Sequence, residues 1–198
     1  MKTKTKQSVK ILCVSAIMLA LSVVLALVRI KPVPWGGSIT LFSMLPVVLV
    51  SIIYGVRPGL LCALGFSLFQ LWQGIAMDGL FAWGLTSGML AACIVLDYTL
   101  PFLVLGLAGL FRKKGVPGYL LGIVLVLAVR FLSHVLSGVF IFHSAGVLWE
   151  GFSTENEWLY SLIYNSTYML PEIVLTCTGA AILLNNRAFL KLVQAEKE

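Results

Sequence analysis

Apolar residues fill this chain in long blocks, and most polar residues gather in the short gaps between them. A helix needs about 20 mostly apolar residues to cross a bilayer. By that measure six stretches stand out, at 9–28, 39–54, 58–75, 80–111, 117–142 and 158–184. The fourth is too long for one simple span, so 79–88 is expected to form a separate half-helix or a turn. The gaps differ in character. YGVRPG at 54–59 and FRKKGVPG at 111–118 combine Gly, Pro and basic residues, which predicts tight hairpins. KPVPWGGS at 31–38 is a Pro- and Gly-rich connection, and HSAGVLWEGFSTENEW at 143–158 is long, acidic and aromatic. Long loops of this kind tend to bind or cover ligands.

Composition turns these apolar stretches into membrane spans. Of 198 residues, 60% are hydrophobic and only 11% charged, and the mean hydropathy is +1.00. A soluble domain carries about 25% charged residues, and one of this length could not hide so much apolar surface in a single core. The expected fold is an all-α integral membrane protein with six transmembrane helices in one membrane domain, 1–198. The first span has a lysine-rich front like a signal peptide. Its apolar run is longer than a typical h-region, however, and the Arg29-Ile30-Lys31-Pro32 that follows is a poor cleavage site, so the helix is expected to be retained.

Charge orients the bundle. Lys2, Lys4, Lys6, Lys10, Arg57, Arg112, Lys113, Lys114, Arg187, Lys191 and Lys197 flank one set of span ends. The opposite loops hold Arg29 and Lys31 against Asp78, Glu150, Glu155 and Glu157. The positive-inside rule then places both termini in the cytoplasm. Because the cations sit at span ends rather than in one patch, a nucleic-acid partner is not expected.

Four cysteines, Cys13, Cys62, Cys93 and Cys177, are scattered singly and read as small buried hydrophobes, with no metal-ligand or redox spacing. The HExxH, GxSxG and Walker A signatures are missing, so neither an enzyme nor a self-contained ATPase is expected.

An ionisable residue deep in a span costs at least a few kcal/mol unless it pairs or faces a wet cavity. Asp97, Arg130, His134 and Glu172 are such residues, with neutral Asn165 beside them. Asp97 either neutralises Arg130 or faces a cavity that receives a cationic ligand. Arg130 is either the partner of Asp97, an arginine snorkelling to an interface, or a ligand contact. His134 lies four residues beyond Arg130 and so shares its helical face, and Gly138 continues that face. A glycine there permits close approach of a helix or of a ligand ring, and helix packing is the commoner use. Tyr160, Tyr164 and Tyr168 read as boundary tyrosines, whereas the Asn165 amide suits heteroaromatic nitrogens. Glu172 follows Pro171 and is expected to satisfy backbone groups that the proline frees. Together these groups suit a small, flat, polar heteroaromatic cation.

WGGSITLFSMLP (35–46), LDYTLPFLVLGLAGLFRKKG (96–115), RFLSHVLSG (130–138) and YSLIYN (160–165) together resemble the thiamine-specific S components of energy-coupling factor (ECF) transporters, over nearly the whole chain. The resemblance implies that Asp97 and Tyr98 help to hold the vitamin. The family usually has Glu at the first of these, so Asp97 is one methylene short. It also assigns binding roles to Arg130, His134, Gly138, Tyr160 and Asn165, with Phe142 where the family typically has Trp. Trp35 most nearly matches the family's first-loop tryptophan. Ala16 and Ala20 match a small-residue surface for docking on the coupling subunit, and ordinary helix packing is the other reading of that pair. By the same resemblance the partners are thiamine or a related small molecule, a transmembrane coupling subunit, two ATPase subunits and the lipid bilayer. No cofactor is expected in this chain, ATP being used by the partner ATPases. The first outer loop would act as a gate, and the location would be the bacterial plasma membrane. Two rivals stand beside this reading. One is a solitary ion-coupled carrier or channel for a small heteroaromatic cation, with Asp97 and His134 as a proton relay. The other is an intramembrane enzyme using the same two groups as acid and base.

Overall fold

The computed structural model describes residues 2–31 and 37–196. Helix α1 (Lys2–Leu27) enters a short ribbon in which β1 (Arg29–Ile30) pairs antiparallel with β2 (Ile39–Thr40). Then follow α2 (Leu45–Tyr54) and α3 (Val56–Ala76). A single residue, Gly55 at φ 98°, joins these two, so the hairpin expected at 54–59 is a one-residue reversal that only glycine adopts easily. The 79–88 region is a turn rather than a half-helix. Leu80–Ala82 makes one 3-10 turn between Gly79 and Gly84, both at positive φ.

The next pass is a composite. It starts as α4 (Ser87–Cys93), capped by the Thr86 hydroxyl accepting from Met89 N. A π turn at Ile94–Thr99, α5 (Leu100–Leu103) and a long 3-10 stretch at Val104–Lys114 complete it. Pro101 lacks an N–H, which disturbs the ladder over the preceding turn. Hydroxyls on neighbouring helices take up carbonyls of that turn: Ser133 Oγ donates to Leu96 O at 2.6 Å and Ser67 Oγ to Tyr98 O at 2.9 Å. Helices α6 (Gly115–Phe140), α7 (Glu157–Asn185) and α8 (Arg187–Ala195) complete the order. A hairpin of β3 (Gly146–Trp149) and β4 (Phe152–Thr154) lies between α6 and α7.

Two expectations need correction. The second apolar stretch does not run as a helix from residue 39. Ile39 and Thr40 pair with β1, Phe42 takes φ 62°, and the helix starts at Leu45 with Pro46 in its first turn. The chain is also not purely helical, because the connections after α1 and after α6 each contain a two-stranded ribbon. Strands of two to four residues are too short to leave a readable alternating pattern.

The core centres on α2, whose Met44-capped body is almost wholly buried. Val47, Val48, Ile52, Phe66, Leu105, Ile123 and Leu127 pack there. Lys10 pairs with Glu196, so both chain ends meet at one end of the bundle, and the ribbons lie at the other. Thr5–Leu27, Val56–Ala76, Ser87–Phe140 and Glu157–Asn185 are each long and apolar enough to cross a membrane. The third spans two passes that reverse at Gly115 (φ 69°). This is a multi-pass membrane protein.

Candidate functional site

A cavity of about 850 Å³ opens at the ribbon end, walled by α3, the composite pass, α6 and α7. That volume lies within the range of small-molecule sites. The π turn carries Asp97 and Tyr98 to its wall, and π turns recur at functional sites because they break the regular facing of a helix.

The Asp97 carboxylate is held from three sides. His134 Nδ1 lies 2.9 Å from Oδ1, while Oδ2 accepts from Ser137 Oγ and from Cys93 Sγ at 3.3 Å. His134 Nε2 is buried with no partner in the protein. Arg130 is not part of this cluster. Its guanidinium sits 4.5 Å above the Phe102 ring and reaches Met44 Sδ, and its buried Nε is unpartnered. Of the readings open for Arg130, pairing with Asp97 is therefore not what this structure shows. Snorkelling fares no better, since Arg130 is 7% exposed.

Helix α7 supplies the opposite wall. Tyr160, Tyr164 and Tyr168 follow one another at intervals of four, so they stand on one face. The first two rings are 6.3 Å apart and nearly parallel. Tyr168 meets Tyr164 edge-on at 6.1 Å and lies at the same distance from the His134 ring. Asn165 ties α7 to α6: its Nδ2 donates to Ser161 O at 2.8 Å and to His134 O at 3.4 Å, and its Oδ1 accepts from the Tyr168 hydroxyl. Gly138 borders the cavity, and its missing side chain is what admits α7. A Cβ there would collide with Ser161 Oγ and lie 3.0 Å from Ser161 Cβ. Tyr98 packs over Gly74 of α3.

At the mouth, Phe142 meets Trp83 edge-on at 5.9 Å. Asp78 is shared by two cations, Arg29 Nη1 and Lys31 Nζ, each at 2.6 Å. That pairing fastens β1 to the end of α3. The far end of the same loop is fastened to α7, where Gly37 N donates to the Tyr164 hydroxyl at 3.3 Å. Glu172 also serves the ribbon and not the backbone near Pro171. Its Oε1 accepts from both Thr40 N and Thr40 Oγ1, the latter at 2.7 Å. Trp35 lies outside the described residues. Ala16 and Ala20 are exposed on the outer face of α1, so neither is used for packing within the chain.

Sequence reasoning thus brought Asp97, Tyr98, Arg130, His134, Gly138, Phe142, Tyr160 and Asn165 to one cavity. It passed over Tyr164, Tyr168, Ser137 and the Arg29–Asp78–Lys31 cluster. The four-residue spacing of the tyrosines and the three-residue step from His134 to Ser137 were available signals for the first three.

Residues 12–192 match the family described as "Thiamine transporter protein (Thia_YuaJ)". The thiamine transporter ThiT of Bacillus subtilis (strain 168) is 31% identical over 188 residues, covering 87% of this chain and 88% of that protein. A solved structure of ThiT from Listeria monocytogenes superposes with a TM-score of 0.70 at 20% identity, covering 94% of this chain and 98% of the other. At that identity the likeness speaks for the fold.

Proposed function

This chain belongs to the thiamine transporter family, and from that premise we propose that it is the thiamine-binding S component of an ECF-type importer in the bacterial plasma membrane. Its family and its relative are transporters, so it moves its ligand and does not convert it. Thiamine joins a flat aminopyrimidine to a permanently cationic thiazolium. The observation that carries the reading is the Asp97–His134 pair, set in a cavity wall opposite the stacked tyrosines of α7. Aromatic faces attract a cation, and a carboxylate held by three donors offsets its charge without having to reorganise. The unpartnered His134 Nε2 and the second lone pair of Asn165 Oδ1 are suited to accept from the amino group of the pyrimidine. Arg130, Tyr98, Tyr160 and Phe142 complete the proposed contacts, with Gly138 shaping the wall and Trp35 on the loop above.

The proposed topology has six passes with both termini in the cytoplasm. The lysines and arginines at the span ends support it, as does the Lys10–Glu196 pair that brings the two ends together. Docking on a transmembrane coupling subunit would use the exposed Ala16 and Ala20, because small residues one turn apart let helices approach closely. Two ATPase subunits on that partner would supply the energy.

Titrating thiamine into the detergent-purified chain while following tryptophan fluorescence tests the ligand, since Trp83 lines the cavity. Saturable quenching at or below micromolar thiamine is expected, and flat fluorescence would sink the assignment. Uptake by the chain alone in liposomes would instead favour a solitary ion-coupled carrier, with Asp97 and His134 as its proton relay.

A further inference from the structure

The β1–β2 ribbon consists of two residue pairs, Arg29 with Thr40 and Ile30 with Ile39. Two strands this short do not hold a position by themselves, so the place of the ribbon is set by its anchors. Arg29 Nη1 and Lys31 Nζ each lie 2.6 Å from the carboxylate of Asp78, one residue past the Met77 cap of α3. Thr40, the residue that pairs with Arg29, gives its N–H and its hydroxyl to Glu172 of α7. The two anchors therefore fall on one line, Asp78–Arg29–Thr40–Glu172, which runs from α3 to α7. Those helices are two walls of the cavity, and Arg29, Lys31 and Asp78 are part of its lining. The ribbon is a strap drawn between two walls at the end where the cavity opens.

The two anchors differ in kind. Thr40 and Glu172 are 5% and 1% exposed, so their bonds are shut away from water. The Lys31 side chain is 42% exposed, and its ion pair with Asp78 lies where water and salt compete for both charges. The Asp78 end is thus the end that opens first, with Thr40 as the hinge. Asp78 also arranges the mouth through its backbone. Its carbonyl accepts from Trp83 Nε1 at 3.0 Å, and the Trp83 ring meets Phe142.

We propose that Asp78 is a positioning residue for ligand retention: its carboxylate clamps the strap to the end of α3, and opening of that clamp lets ligand leave. The clamp does not depend on which ligand is bound, whereas the retention it confers rests on the reading of thiamine as ligand. Two variants separate clamping from charge alone. Asp78→Asn removes the anion and keeps the carbonyl that holds Trp83. Arg29→Gln with Lys31→Gln removes both cations and leaves Asp78 uncovered. Were the cluster to act only through its field at the mouth, the first variant would weaken binding of a cation and the second would strengthen it. As a clamp, both have the same effect.

Stopped-flow fluorescence gives the association and dissociation rates of thiamine for each purified variant. Amide hydrogen exchange of the ligand-free protein reports the ribbon, and thermal melting reports the fold. Both variants should release thiamine about tenfold faster, the scale of one lost hydrogen bond to a charged group. Both should also exchange the β1 and β2 amides faster while melting close to the natural chain. Unchanged release or unchanged exchange in either variant overturns the proposal, and so does slower release from the double variant. If one variant does not fold, the other decides by the same readings; if neither folds, the cluster is structural and the proposal is overturned. If the natural chain does not bind thiamine, exchange still decides: faster exchange in both variants upholds the clamp while the ligand assignment falls alone, and unchanged exchange overturns the clamp as well.

Discussion

Gly138→Ala separates two uses of one position, since Gly138 both borders the cavity and receives Ser161 of α7. An added Cβ would lie 3.0 Å from Ser161 Cβ and nearer still to Ser161 Oγ. Carbon atoms rest at about 3.5–4.0 Å, so α6 and α7 must part by on the order of half an ångström or more, or Ser161 must leave its bond to Val135 O (2.8 Å). Overpacking of this kind costs about 1–3 kcal/mol. The same displacement moves Asn165 off His134 O, a contact already at 3.4 Å, and slides the tyrosine wall relative to the histidine wall. Thermal unfolding in detergent and thiamine titration should therefore both report the change, with a lowered melting temperature and affinity reduced about tenfold. Adding Ser161→Ala removes the nearest clash and should restore much of both. A variant that melts like the natural chain, loses thiamine binding and is not rescued by Ser161→Ala would show that Gly138 makes room for ligand and not for α7.

Asp97→Asn keeps one acceptor for His134 but turns an amide N–H₂ towards the donors Ser137 and Cys93, besides losing the charge. At an effective dielectric of ~20 and ~6 Å, that charge is worth about 2–3 kcal/mol, so thiamine affinity should fall between about 30- and 200-fold by titration. A change under about threefold would remove Asp97 from cation recognition. Ala16→Trp enlarges an exposed face of α1 remote from the cavity. It should leave thiamine titration unaltered and abolish ATP-dependent uptake in proteoliposomes with the coupling module; normal uptake would refute docking through this face.

How much could be read beforehand follows from how local each feature is. The apolar blocks announced the helices because a bilayer demands unbroken runs, and Arg130, His134 and Gly138 stood out because charge and glycine are rare in such runs. Their grouping with Asp97 and Asn165 was legible for the same reason. The surroundings of Arg130 were not. Spacing says which side chains share a face, yet Asp97, Phe102 and Met44 lie on other passes, and whether Arg130 or His134 meets the acid depends on how α6 is turned against them. Glu172 was misjudged because its neighbour Pro171 offered a local task, whereas its actual partner, Thr40, is 132 residues away. The ribbon that makes Thr40 available has strands of two residues, too short to leave a pattern.

The π turn at Ile94–Thr99 has a bearing on the composite pass as a whole. A π turn accommodates one residue more than the α-helix would, which offsets everything beyond it by about 100° around the axis. Asp97 faces the cavity from within that turn, while Leu105 and Ala108, beyond it, face the core. Deleting a single residue within 94–99 would leave an apolar run of nearly the same length, indistinguishable by hydropathy. Its two halves would then be out of phase, so that either the carboxylate or the core-facing leucine had to turn towards lipid. In this pass, chain length between the two ends is as much a part of the binding site as the acid itself.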